Sequence, residues 1–168
     1  MNKYLTKIAA EMAKKDLPYR DRVEVFIIKG DKVLVTSNRS KDTNETWAGL
    51  PGGGLDGDTA KEACVNECLE EVGIRIENPR YLGVVHTQEG GMSKKEDRHL
   101  KYRGSITKWY VADFKEMDKS KQGDDGDSRK YTWQTHQEAL QGFKRGKLMS
   151  VPRCKALTSL KLSNQVED

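Results

Sequence analysis

The sequence predicts an α+β domain of layered α/β/α type, and three observations carry that prediction. Segments rich in β-branched and aromatic residues stand before and after one central helical segment, Thr59 to Glu71. Helical periodicity occupies both ends of the chain. No internal repeat and no break in composition divides the 168 residues, so one domain is expected over 1–168, with 1–18 as a helical N-terminal extension.

The elements follow in order. Leu5, Ile8, Ala9 and Met12 stand at i, i+3, i+4 and i+7, one apolar stripe of a helix that Pro18 ends near Asp16. The stripe is expected to pack on the domain, a lid or dimer arm being the other reading. Val23–Ile28 and Val33–Thr36, joined through Gly30-Asp31, read as a β-hairpin. Asp42–Leu50 reads as a loop that leads to the cluster Gly52-Gly53-Gly54. Gly73 is placed to stop the central helix in a left-handed C-cap. Arg80–Thr87 and Ile106–Phe114 read as strands separated by a polar loop, Gln88–Lys101. Lys119–Lys130 is a polar tract expected to be solvated. Tyr131–Trp133 reads as a short strand, and Gln137–Lys144 and Arg153–Leu162 read as helices.

Composition narrows the function classes. Hydrophobic residues are 35% of the chain, enough for one core, and no apolar run nears the ~18 residues of a membrane span. No apolar leader precedes Asp16, so a secretory signal is not expected. Three cysteines do not make a disulfide framework and read as reduced thiols, which points to the cytoplasm. The net charge of +4 suits an anionic small molecule. A nucleic-acid end is compatible with it but not indicated, because no basic block carries interleaved aromatics.

The chemistry is concentrated in Gly52–Ile74. Glu67, Glu70 and Glu71 fall at i, i+3 and i+4 and share one helix face, with Val65, Leu69 and Val72 on the other. Like charges at this spacing repel, so the face calls for solvent or a cation. Hard divalent cations take oxygen ligands, and Mg²⁺ in particular combines a few carboxylates with substrate phosphate oxygens. A glycine loop just upstream lets backbone approach a ligand closely. Glycine loop plus carboxylate face is an arrangement suited to a diphosphate.

The segment resembles the Nudix box, G-x5-E-x7-R-E-U-x-E-E-x-G-U, where U is a bulky apolar residue. Gly52 takes the first glycine, Asp58 the first acid and Asn66 the arginine position; Glu67, Cys68, Leu69, Glu70, Glu71, Val72, Gly73 and Ile74 follow in register. Asp58 is one methylene shorter than the pattern's Glu, and Asn66 lacks the cation that steadies the carboxylates in the family. Trp47 through Gly53, and Trp133 followed by Glu138-Ala139-Leu140, are also similar to family features. The resemblance covers roughly 20–160. It implies a mixed β-sheet between helices, a loop–helix–loop motif, and Mg²⁺ or Mn²⁺ held by Glu67, Glu70, Glu71 and Gly52. It implies metal-dependent hydrolysis of a nucleoside diphosphate derivative, NDP-X, to a nucleoside monophosphate and phosphorylated X, with a nucleotide-derived small molecule as partner.

Glu70, Glu71 and Asp127 are the catalytic candidates, Asp127 preferred over Asp124 and Asp125 for its distance before Trp133. Arg39, Trp47 and Arg103 are candidates for substrate contact, together with Lys101: arginine grips phosphate bidentately and Trp can stack a base. Asp58 reads equally as a support of the loop and as a helix N-cap. Cys64 and Cys68 read as small core residues, and His86, His99 and His136 receive no role. The subgroup marks expected downstream of the box for ADP-ribose or dinucleoside polyphosphates are missing; Glu89 and Gly91 stand there. A homodimer is compatible with the sequence but not specified by it. The alternative function is a non-catalytic Nudix-fold nucleotide-binding module.

Overall fold

The computed structural model describes residues 3–39, 43–123, 128–146 and 149–163, the last three of these by backbone alone. Its elements are α1 (Lys3–Lys15), β1 (Tyr19–Lys29), β2 (Lys32–Arg39), β3 (Thr46–Gly49), β4 (Gly52–Gly54), α2 (Ala60–Val72) and β5 (Ile74–Glu89). Then come α3 (Arg98–Lys101), β6 (Gly104–Met117), β7 (Lys130–Thr135), α4 (His136–Lys144) and α5 (Ser150–Ser163). The seven strands form one mixed sheet ordered β3-β2-β1-β6-β5, with β4 beside β1 and β7 beside β2. β1 and β6 run parallel, whereas the other pairs are antiparallel.

Alternation along β1 builds the two layers. Val23, Val25 and Ile27 face one cluster with Cys64, Cys68, Val72 and Ala63 of α2. Phe26 faces the other, with Trp109, Phe143 of α4 and Leu157 and Leu160 of α5. The sheet is thus sandwiched between α2 and the α4–α5 pair, as the sequence predicts.

Three expectations need correction. β3 lies inside the segment read as a loop, because Trp47 and its neighbours pair with Asn38 and the end of β2. β5 begins at Ile74 rather than Arg80; irregularities in its pairing absorb Asn78-Pro79, where proline's missing N–H is tolerated. α1 forms as predicted but buries no residue: Leu5 and Met12 are exposed, so its apolar stripe does not pack on the domain.

One charged group is built into the second layer. Glu24 of β1 is buried and accepts hydrogen bonds from Arg153 Nε and Nη2 (2.9 and 2.7 Å) and from Trp109 Nε1 (2.9 Å). Arg153 also reaches Ala48 O. This cluster ties α5 to β1, β3 and β6.

Candidate active site

The central helix is fixed at both ends by local chemistry. Thr59 is its N-cap and forms a reciprocal capping box with Glu62. Gly73, at φ 63°, closes it and sends its N–H back to Leu69 O and Cys68 O. Asp58 is therefore not the cap. It accepts instead from Asn66 Nδ2 at 2.9 Å, so the two residues that depart from the box pattern bond to each other.

The three carboxylates do not share one environment. Cys64, Glu67, Cys68 and Glu71 follow the i, i+3, i+4, i+7 spacing of a buried stripe. The two cysteines are fully buried, and Glu67 and Glu71, half-buried, lie on the same side of the helix, toward Gly53 and Gly52. Glu70 is exposed on the flank. Leu69 and Val72 are buried as expected, whereas Val65 is only half-buried. Among the described residues, no three acidic, histidine or cysteine side chains are gathered into a ready metal cluster. The box brings its acids to one helix, and two of them point at the glycine strand β4.

β4 is a thin partition. A Cβ on Gly53 would lie 2.3–2.6 Å from the Glu67 carboxylate, and one on Gly54 would lie 2.2–2.6 Å from the Arg20 guanidinium. Successive strand residues face opposite sides, so acid and arginine lie against opposite faces of the same short strand. Only glycine permits both approaches. Gly52 N–H donates to Glu71 Oε2 at 3.0 Å and orients that carboxylate. Gly53→Ala is expected to displace Glu67 and lower kcat at least tenfold with α2 intact by circular dichroism, since small misplacements cost large rate factors. Wild-type kcat in that variant would remove Glu67 from the site.

Burial, first, pushes Glu67 up to about 7, and the charges of Glu70 and Asp56 add to it against Arg22 and Arg20. Burial also pushes Glu71 up to about 7; the Gly52 amide opposes this, Glu67 reinforces it, and Arg129 and Arg22 oppose it. Arg22 of β1 thus opposes both acids, a cationic role that Asn66 cannot fill on the helix. Arg20 is paired with Asp56 at 2.8 Å and is nearly buried.

Both folded pKa values stand above the unfolded value near 4.5. The cation-free fold therefore binds extra protons between pH 5 and 7, and its stability falls as pH rises through about 7. Discounting for solvent, the pair's loss is on the order of 2 kcal/mol, or roughly 4–8 °C in Tm. Thermal unfolding in chelator is expected to show a lower Tm at pH 8 than at pH 6. Millimolar Mg²⁺ should erase the difference, as should Glu67→Gln with Glu71→Gln. A Tm in chelator that rises steadily across this range would contradict the half-buried acid pair.

The donor set fits a hard divalent cation. Glu67 and Glu71 offer charged oxygens whose mutual repulsion a cation would relieve, beside a strand with no side chains to obstruct it. Glu70 stands at the open edge.

The other expected residues are dispersed. Arg39 ends β2 in an exposed position, and Trp47 lies on β3 at 40% exposure. Arg103 donates to Glu89 and to Lys15 O and stacks over Tyr19, which joins the end of α1 to β5. None of the three lines the cleft that borders Arg20 and Arg22. Asp127, with Asp124 and Asp125, lies outside the described residues. The polar tract around them is not merely solvated: Gly123 N–H bonds Glu70 O, Arg129 N–H bonds Glu71 O, and Gln122 Nε2 also reaches Glu71 O. Cys64 and Cys68 are free and buried, and burial pushes the Cys64 thiol to about 12, consistent with inert core residues.

Sequence reasoning passed over Arg20, Arg22 and Glu24. The signal was available, because they stand at i, i+2 and i+4 along β1 and so put three charges on one face of a core strand.

A family model of the NUDIX domain matches residues 18–153. The chain belongs to the Nudix family. Solved structures agree on the fold. A Nudix hydrolase from Nitrosomonas europaea is 16% identical with a TM-score of 0.63, covering 85% of this chain and 90% of its own. An ADP compounds hydrolase is 17% identical with a TM-score of 0.66, covering 90% and 76%. The E. coli ORF135 protein is 16% identical with a TM-score of 0.62, covering 91% and 96%. α2 is the Nudix helix, and β4 with the turn after it is the loop before it. With the box acids Glu67, Glu70 and Glu71 retained, this member is a Nudix-type pyrophosphohydrolase.

Proposed function

We propose that the protein hydrolyses the phosphoanhydride of a nucleoside diphosphate derivative, with Mg²⁺ or Mn²⁺ at the Nudix helix. The inward-facing pair Glu67 and Glu71 beside a glycine strand is the observation that carries this reading. These two residues would hold the cation, with Glu70 at the exposed edge. When bound, the cation supplies charge neutralisation at the diphosphate and a lowered pKa for water. Gly52 N–H keeps Glu71 in orientation. Arg22 offsets the negative charge of the pair. Glu70 is placed to orient the attacking water, and Asp127 remains the proposed base. Arg39 and Trp47 stay proposed for substrate contact, whereas the engagement of Arg103 with Glu89 favours a structural role. The neighbouring ADP compounds hydrolase supports a nucleotide-derived substrate. Free cysteines support a cytoplasmic setting.

The test is monophosphate release from a panel of nucleoside triphosphates, nucleoside diphosphate sugars and dinucleotides with Mg²⁺ or Mn²⁺. Cation-dependent release from at least one is expected. Saturable binding of these nucleotides without release from any of them would favour the binding module instead.

A further inference from the structure

α1 holds an ordered apolar stripe in water. Leu5, Ile8, Ala9 and Met12 share one side of the helix, with Leu5 and Met12 60% and 63% exposed. Lys3, Lys7 and Lys14, at i, i+4 and i+11, form a stripe on the opposite side. The 13 residues of α1 carry four lysines against one acid, Glu11, in a chain whose net charge is only +4. No helix among the described residues is long and apolar enough to cross a membrane.

A second basic segment is bonded to the end of this helix. Arg103 donates from its guanidinium to Lys15 O and from its backbone N–H to Pro18 O. Just before it, Lys94, Lys95 and Lys101 are exposed in the connection from β5 to β6, together with Leu100 at 62%. The combination of exposed lysine and exposed aliphatic residue thus continues from α1 into that connection.

These features select among the surfaces that can cover α1. A stable interface with a second copy buries roughly 800 Å² per partner, and the few exposed apolar side chains of one short helix do not supply that. A nucleic acid takes the lysines but leaves the apolar stripe in water. A bilayer with anionic headgroups satisfies both stripes: a short helix lies flat with its apolar side at the acyl boundary, and its lysines stay among headgroups and water. We propose that α1, with the basic connection joined to its end, docks the protein reversibly on an anionic lipid surface.

Flotation of the whole chain with vesicles of phosphatidylcholine containing about one third phosphatidylserine tests this. The wild type is expected to float with these vesicles, at least about fivefold more than with phosphatidylcholine alone, and to be released in about 1 M salt, where charges are screened beyond ~3 Å. Leu5→Gln with Met12→Gln keeps every charge, whereas Lys7→Gln with Lys14→Gln keeps the apolar stripe. Each pair is expected to lower the bound fraction at least about fivefold with Tm unchanged, since α1 buries none of these side chains. No flotation of the wild type would overturn the proposal. Equal flotation of the Leu5→Gln, Met12→Gln protein would overturn it too, leaving a charge attraction that any polyanion shares. A wild-type dimer in sedimentation velocity that the same variant dissociates would place a second copy on the stripe instead. Flotation needs no turnover, so its outcome does not depend on the hydrolase reading.

Discussion

Glu71→Gln is expected to lower turnover by about 10²–10³-fold while leaving the fold intact, the range seen when one strong electrostatic element leaves an active site. The amide keeps the volume, and its oxygen still accepts from Gly52 N–H. What it loses is the charge that holds the cation. The same substitution removes a carboxylate that burial and Glu67 push up to about 7. The cation-free variant is therefore expected to melt higher than wild type at pH 8. Stability gained where activity is lost is the usual relation between a strained site and its fold. Turnover unchanged at saturating cation, or a lower Tm at pH 8 in chelator, would remove Glu71 from the role given to it.

Arg153→Met is expected to be the most destabilising single change. It leaves the buried Glu24 carboxylate with Trp109 Nε1 as its one remaining side-chain partner among the described residues. Breaking a buried pair from one side costs about 3–5 kcal/mol, roughly 6–20 °C in Tm for a chain of this size. Adding Glu24→Gln should recover part of the loss, because the uncompensated charge is gone. A loss below about 1 kcal/mol for Arg153→Met in denaturant unfolding would show that α5 is held by apolar packing alone.

The fold was legible where periodicity and local caps agree. Gly73 marks the end of the central helix in the sequence and in the structure, and Gly30-Asp31 sets the first hairpin, whereas the N-cap read as Asp58 is Thr59, boxed with Glu62. β3 was not legible, because Trp47 gains its strand geometry from pairing with β2, a tertiary contact. β5 was legible only in part, since Asn78-Pro79 carries a turn signal that the irregular pairing overrides.

The site divides in the same way. Spacing identifies Glu67, Glu70 and Glu71 as a group. It does not say that Glu67 and Glu71 belong to the buried stripe of Cys64 and Cys68, because that depends on which face meets the sheet. The missing box arginine suggested a weakened site. The structure instead brings Arg22, from a strand far away in sequence, close enough for its charge to oppose the upward shift of both acids. Asn66 and Asp58 then form a neutral-to-acid pair on the outer surface of the helix.

The central claim is that Glu67 and Glu71 together form the cation site. Mn²⁺ titration of the protein, with the free ion followed by electron paramagnetic resonance at pH 7.5, measures that without any substrate. The account predicts saturable binding in the wild type that Glu67→Gln and Glu71→Gln each weaken at least tenfold, with a smaller effect of Glu70→Gln. Equal Mn²⁺ affinity in wild type and in the two inward-facing variants would contradict it.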